Sequence, residues 1–247
     1  MIIYGDYHTH TKFSHGKGTI LENAEIAARK GLKEIAITDH GTATFLYSFK
    51  WKKFDEMRRQ CKEAEEKTGV RVLLGVESSM ITNDGNIDLT PEQAEKFDIV
   101  LCGYHKAAVS KKGFFNFFLR NLLFSKIASK KTIRKNTEAV KAALSSNKID
   151  VFTHINAGMK VDVCEVARHA KKCGTLMEIN GRRMRFTDAE IKQMVKDDVV
   201  FIINSDAHSP ERVGECNEAL ALIARLQIPL SQVANVGKGV KLRCSFK

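Results

Sequence analysis

The sequence predicts an α/β fold, a barrel of seven parallel strands alternating with helices, and three observations carry that expectation. Most strand-like runs are short, apolar and unalternating, which is the pattern of strands covered on both faces. Between them lie stretches with helical spacing and identifiable caps. The chemistry-bearing side chains His8, His10, His40, Glu77, His105, His154, Asp206 and His208 fall at or just after strand ends, where closed β/α barrels carry their active sites.

The first strand lies within Met1–Thr11 and ends in His8 and His10. Side chains two apart on a strand share a side, so these two imidazoles can aim at one point. Thr19-Ile-Leu-Glu22 is a capping box that opens a helix stopping at Gly31. Glu34–Thr38 is a short strand followed by Asp39-His40-Gly41. A helix is predicted over 48–67, with Trp51, Phe54, Met57, Cys61 and Ala64 at helical spacing and Gly69 ending it. Val70–Val76 is a buried strand delivering Glu77, Pro91 starts a short helix, and Asp98–Gly103 is a strand delivering His105. A helix near Thr132–Ser146 precedes the strand Val151–Thr153, which delivers His154. Asp162 and Glu165 cap the next helix, which ends at Gly174, and the strand Thr175–Ile179 runs into Asn180-Gly-Arg-Arg. Thr187-Asp-Ala-Glu190 is another capping box. Val199–Ile203 delivers Asp206 and His208, and Ser209-Pro210 starts a long final helix to Leu226.

No linker or compositional break divides residues 1–247, so one barrel domain is expected, with a basic, Phe-rich insertion at about 106–135. At 43% hydrophobic and 28% charged residues the chain has the composition of an ordinary globular protein. No apolar run approaches the roughly 18 residues of a membrane span, and the N-terminus lacks a signal-peptide pattern. The six cysteines are scattered without a C-x-x-C pair, as in reduced cysteines of a cytoplasmic protein. Basicity is local. Ten Lys or Arg and one acid, Glu138, lie between Lys106 and Lys141, so nearly all of the +11 net charge belongs to one segment.

Seven of the eight histidines, all but His169, lie at or shortly after strand ends. Singly, each would serve as a structural residue; scattered histidines, however, should also populate helices, and these do not. His169 sits within a helix and is assigned no chemistry. Seven imidazoles with Glu77 and Asp206 are too many ligands for one four-coordinate zinc. They suit two or three divalent ions, and the mixed nitrogen and oxygen donors suit Zn, Mn or Fe.

The motifs His8-Thr-His10-Thr, Thr38-Asp-His40-Gly, Gly103-Tyr-His105 and Ser205-Asp206-Ala-His208, with Glu77 and His154 between them, resemble those of the PHP (polymerase and histidinol phosphatase) family across nearly the whole chain. The resemblance implies a distorted (β/α)7 barrel with a trinuclear metal site. It also implies a ligand grouping: His8, His10, Glu77 and Asp206 on one ion, Glu77, His105 and His154 on a second, and His15, His40 and His208 on a third. His15 gains its role only through this resemblance. The standalone length resembles the family's small bacterial phosphoesterases more than its polymerase-attached domains.

Clustered divalent ions suit in-line displacement at phosphorus, because they neutralise charge on the phosphoryl and leaving oxygens. Glu77 would bridge two ions. With Asp206 and Asp39 it makes up the set of candidate catalytic carboxylates, Asp39 contributing to ligand orientation. Arg182, Arg183 and Arg185 follow the sixth strand, and one of them is a candidate phosphate clamp, the alternative being solvated loop cations. The leading expectation is a phosphatase acting on a small phosphate monoester, of the histidinol-phosphatase type.

A nuclease or nucleotide phosphoesterase is the alternative, through the basic 106–141 segment. A non-catalytic metal-binding interaction module is a third reading. An amidohydrolase also begins with His-x-His in a β/α barrel, but it would leave His15, His40 and His208 unexplained. The Phe-rich stretch Phe114–Phe124 could be a buried lid or dimer element, a membrane-surface helix, or an aromatic and cationic nucleic-acid platform.

Overall fold

The computed structural model describes residues 2–44, 47–110, 117, 119–123, 128–181 and 184–242. Seven strands form one sheet in sequence order: β1 (Gly5–Thr9), β2 (Glu34–Ile37), β3 (Arg71–Ser79), β4 (Ile99–Gly103), β5 (Val151–Phe152), β6 (Leu176–Asn180) and β7 (Phe201–Asn204). Every neighbouring pair is parallel. The last strand returns to the first just past its end. Thr9 bridges Ala207, and the His10 amide donates to the Ala207 carbonyl at 2.8 Å. The result is a nearly closed barrel, as the sequence predicts.

Helices α1 (Ile20–Arg29), α2 (Phe54–Thr68), α3 (Pro91–Ala94), α4 (Arg120–Leu123), α5 (Lys130–Ser146), α6 (Val163–Cys173), α7 (Asp188–Lys196) and α8 (Asn217–Leu226) lie between or after the strands. The predicted capping boxes at Thr19/Glu22 and Thr187/Glu190 both form, and Asp162 accepts from the Glu165 amide to start α6. Gly69 and Gly174 end α2 and α6 in the left-handed conformation that glycine adopts without steric cost.

Both faces of the sheet are apolar because each strand alternates between two cores. Tyr7, Ala36, Leu73, Ile99, Leu101, Val151 and Ile202 fill the barrel interior, while Ile35, Ile37, Leu74, Val76, Val100 and Met177 pack outward against the helices. Full burial of each such side chain contributes roughly 1.5–3 kcal/mol. At the C-terminal ends this inward alternation changes from apolar to polar. On β3 the inward positions run Leu73, Gly75, Glu77, Ser79, and on β6 they run Leu176, Glu178, Asn180. The pleat that carries the apolar plug below thus aims carboxylates and amides into the mouth above.

Three boundaries differ from expectation. Glu77 lies within β3, which continues to Ser79, rather than just beyond its strand. The helix expected over 48–67 is a 3-10 turn at Trp51–Lys53 followed by α2. The long helix expected from Pro210 to Leu226 is broken. Pro210–Arg212 is one 3-10 turn, and α8 begins only at Asn217. The break has a cause: Gly214 sits at φ +72, and its amide donates to the buried Asp6 carboxylate at 2.8 Å. Most of the Phe-rich stretch lies outside the described residues; within it, Phe117 is buried edge-on against Tyr104 at a centroid distance of 5.5 Å.

Candidate metal centre

All nine side chains of the expected ligand set converge at the C-terminal mouth of the barrel. Glu77, fully buried, is the hub. Its Oε1 lies 2.7 Å from His154 Nε2, 3.1 Å from His105 Nε2 and 3.3 Å from His8 Nε2. Its Oε2 lies 3.0 Å from His40 Nδ1 and 3.5 Å from His10 Nε2. Asp206 Oδ1 faces His10 Nε2 and His208 Nδ1, each at 3.4 Å, and His8 Nε2 at 3.7 Å. His15 stands over the rings of His40 and His208, with centroids 4.8 and 4.3 Å away, and Tyr47 packs on its outer side at 4.7 Å.

The donor atoms fall into three overlapping sets: His8, His10 and Asp206; His40, Glu77 and His105; and His10, His15, His40 and His208, each set lying within 4.8 Å. The grouping implied by the resemblance gives His40 to one ion with His15 and His208. Here His40 also joins Glu77 and His105, and His10 belongs to two sets, so both rings sit where two ion positions would be neighbours. His154 meets Glu77 without belonging to any of these sets.

The residues fit divalent ions. His10 Nδ1, His40 Nδ1, Glu77 Oε2, His105 Nε2 and His154 Nδ1 are buried without a hydrogen-bond partner among the described residues. Unpaired buried polar atoms cost on the order of 1–3 kcal/mol each, and a shared cation would satisfy several at once. His8 and His10 also present their Nε2 atoms to one another at 3.2 Å, a contact that needs a proton or a cation between two lone pairs. Two residues of the cluster hold the left-handed backbone that non-glycine residues avoid, His154 at φ +22 and Asp206 at φ +53; such strain concentrates at functional sites.

Electrostatics sort the group. Burial, together with the neighbouring His40 and His208, holds His10 well below the ordinary imidazole value and brings His15 down to about 4, so both are neutral and ready to ligate. For His8, burial works against the charged form, but Glu77, Glu178 and Asp206 outweigh it and raise the ring well above its ordinary value. Burial pushes Glu77 up, yet His105, His8, His154 and His40 hold it well below the carboxylate range.

Glu178 was not among the sequence-derived candidates. It is buried on the inward face of β6, and its Oε1 accepts from His8 Nδ1 at 2.7 Å and Asn204 Nδ2 at 3.1 Å. Its Oε2 accepts from the His154 amide at 2.8 Å and Asn180 Nδ2 at 3.0 Å. An ionised carboxylate only accepts, so His8 keeps an N–H on Nδ1 towards Glu178, which leaves Nε2 as the ring atom that would meet a metal ion at the centre. The one available signal was a lone acid two positions from Asn180 in an otherwise apolar strand.

Asp39 lies elsewhere. Its oxygens accept from the Thr11 amide at 2.8 Å, the Thr11 hydroxyl at 2.5 Å and the Ser14 hydroxyl at 2.5 Å, so it ties down the 11–16 loop that carries His15. Arg185 lines the mouth, whereas Arg182 and Arg183 lie outside the described residues. His169 sits on α6 with its Nε2 2.8 Å from the Ser145 hydroxyl, remote from the cluster. The mouth opens into a cavity of about 880 Å³ lined by His15, His40, Glu77, His105, His154, Asp206 and His208 together with Lys17, Lys106, Lys160 and Arg185.

Fold and site together define a β/α-barrel protein with a cluster of histidines gathered round Glu77 and Asp206 at the C-terminal ends of its strands. The family profile described as the PHP domain matches residues 6–182, and the chain belongs to that family. A "probable phosphatase" of Caldanaerobacter subterraneus subsp. tengcongensis is 30% identical over 245 residues, which cover 93% of this chain and 86% of the relative. One of Proteus mirabilis is 28% identical over 240 residues, covering 93% and 89%. Among solved structures, histidinol phosphate phosphatase of Lactococcus lactis, complexed with zinc, L-histidinol and phosphate, superposes with a TM-score of 0.66 at 16% identity, covering 93% of this chain and 95% of that one. At that identity the likeness is one of fold.

Proposed function

We propose that this protein is a metal-dependent phosphatase that hydrolyses a small phosphate monoester, with chemistry of the histidinol-phosphatase type. The observation that carries the reading is the gathering of seven imidazoles with Glu77 and Asp206 at the open end of the barrel, five of the imidazoles directly against Glu77. The names of the relatives support it, as does the zinc of the Lactococcus lactis enzyme.

His8, His10, His15, His40, Glu77, His105, His154, Asp206 and His208 would hold two or three ions, of zinc, manganese or iron. Bound there, such ions supply Lewis-acid activation of water and neutralise charge on the phosphoryl oxygens. Glu77 offers both oxygens and fixes the spacing between the two sides of the centre. Glu178 holds the His8 ring in its ligating tautomer, and Asp39 holds the loop behind His15. Of the three candidate arginines Arg185 lines the cavity among the described residues, and its guanidinium would pair with a non-bridging phosphate oxygen.

We read residues 1–247 as one barrel domain with an insertion at about 106–135. No helix among the described residues is long and apolar enough to cross a membrane. Five described cysteines are free, three of them buried, which supports a reducing, cytoplasmic setting.

The test is release of phosphate from p-nitrophenyl phosphate and phosphorylated metabolites, with metal content measured on the same sample and single-stranded oligonucleotides assayed beside them. Metal-dependent release from monoesters supports the phosphatase. Degradation of oligonucleotides with strongly salt-dependent binding would favour the nuclease instead. Absence of turnover on either class with zinc, manganese and iron restored would leave a metal-binding module.

A further inference from the structure

The cavity holds more positive charge than one phosphate group needs. Lys17, Lys106, Lys160 and Arg185 line it together with the centre. None of the four makes an ion pair or a side-chain hydrogen bond among the described residues, although the surface lysines Lys53, Lys141, Lys148 and Lys171 each find an acidic partner. Only Glu77 and Asp206 oppose them in the lining, and both already face histidines.

The cations are also placed in order. Lys106, Lys160 and Arg185 follow β4, β5 and β6, three neighbouring strands, so they occupy one arc of the rim. Lys17 follows β1, on the side of His208, whose carbonyl accepts the Lys17 amide at 2.8 Å.

Lys106 and Lys160 are exposed at the rim, and the backbone that carries them is held in place. The stem of Lys106 crosses Gly158, where a Cβ would come within 2.9 Å of Lys106 Cε, and Gly158 holds φ +90, so the close approach requires glycine. The loop from His154 to Lys160 is pinned by its own bonds. The Ala157 amide donates to the His154 carbonyl at 3.0 Å, the Val161 amide to Asn156 Oδ1 at 3.0 Å, and Asn136 Nδ2 to the Lys160 carbonyl at 2.9 Å. Lys106 and Lys160 therefore both line the cavity on the side of His105 and His154. A cavity of about 880 Å³ lies near the top of the range of roughly 300–1,000 Å³ for sites that enclose whole small molecules.

We propose that Lys106 and Lys160 form a second anion subsite, so that the substrate is a phosphate ester carrying a further anionic group, a second phosphate or a carboxylate, away from the scissile bond. The proposal rests on the phosphatase reading of the same centre. It also disfavours a leaving group bearing an ammonium, which these lysines would repel.

The test uses matched pairs: fructose 1,6-bisphosphate against fructose 6-phosphate for a second phosphate, and 3-phosphoglycerate against glycerol 1-phosphate for a carboxylate. The metal-loaded enzyme should prefer the doubly anionic member of at least one pair by about tenfold or more in kcat/KM, an increment a charge-assisted contact readily supplies. Lys106→Gln and Lys160→Gln should each shrink that ratio, and the double variant should bring it near unity, whereas a merely structural role would lower both members alike. Binding gives a second readout: calorimetry on chelator-treated protein should show methylenebisphosphonate bound more tightly than methylphosphonate, and the difference lost in the double variant. Equal turnover within both pairs, or a preference that survives the double substitution, would overturn the subsite while leaving the phosphatase standing. Failure on all four esters while p-nitrophenyl phosphate is hydrolysed would likewise overturn the subsite alone, and failure on p-nitrophenyl phosphate as well would sink the phosphatase reading and the subsite with it.

Discussion

Glu178→Gln probes the centre without touching an expected ligand. Its two oxygens accept four buried donors: His8 Nδ1, Asn204 Nδ2, the His154 amide and Asn180 Nδ2. Burial raises the acid, but the His8 charge and hydrogen bond lower it further, so it is ionised. Glutamine keeps the shape and turns one oxygen into an NH₂, so that two donors face a donor, at roughly 1–3 kcal/mol each. The His8 contact alone is a charge-assisted bond worth roughly 1.5–3 kcal/mol, and losing it frees the ring to rotate or change tautomer. Carboxylates behind metal-binding histidines typically account for about 10–100-fold in metal affinity, or roughly 1.4–2.8 kcal/mol, so the two estimates agree. The expected result is a zinc affinity lower by about that factor and a lower urea midpoint in the metal-free protein. Competitive titration against a chromophoric chelator measures the first. Zinc affinity within twofold of wild type, in a variant that folds, would refute the assignment of Glu178 as the group that orients His8.

His10→Ala and Glu77→Ala should abolish turnover and lower bound metal by elemental analysis. His169→Ala should leave metal content unchanged and stability within about 0.5 kcal/mol; a large loss there would undo the division of the histidines. Burial and the neighbouring His40 and His208 bring His15 down to about 4 in the native state, from the 6.5 of an ordinary imidazole. The unfolded chain therefore binds its proton first, and the stability this residue contributes is complete above pH 6.5 and is lost as pH falls towards 4. Urea titrations of chelator-treated wild type and His15→Asn should show the wild type losing ground to the variant across that window. Burial raises the Cys61 thiol to about 12 and holds Cys102 and Cys216 well above the ordinary value. Among the described cysteines, native-state maleimide labelling followed by peptide mass mapping should find Cys164 and Cys173 first; early modification of Cys102 would contradict the packing of β4.

The order of strands and the eight strand-end residues were legible because a parallel barrel imposes two local patterns, apolar runs and chemistry at one end. His15 was not legible from strand pattern, since it sits on a loop held by Asp39 rather than on the sheet. Glu178 was missed for a geometric reason. Alternation in Leu-Met-Glu-Ile-Asn separates two faces but does not say which is inside, and only the closure of the sheet decides that. Lys106 counted as one cation of a basic run, yet it is separated from the rest by its contact with Gly158. The broken final helix could not be foreseen, because its break depends on a bond from Gly214 to Asp6 across most of the chain.

The seam at Thr9 and Ala207 has a consequence for biosynthesis. A nascent polypeptide leaves the ribosome with His8 and His10 already exposed, but Asp206 and His208 emerge only after all of β7 has been translated. Until they emerge, the opening strand lacks its neighbour and the cup lacks a wall. Vectorial synthesis therefore postpones assembly of the cluster until β7 and the turn after it have emerged, and a product ended after β6 would carry only part of the donor set.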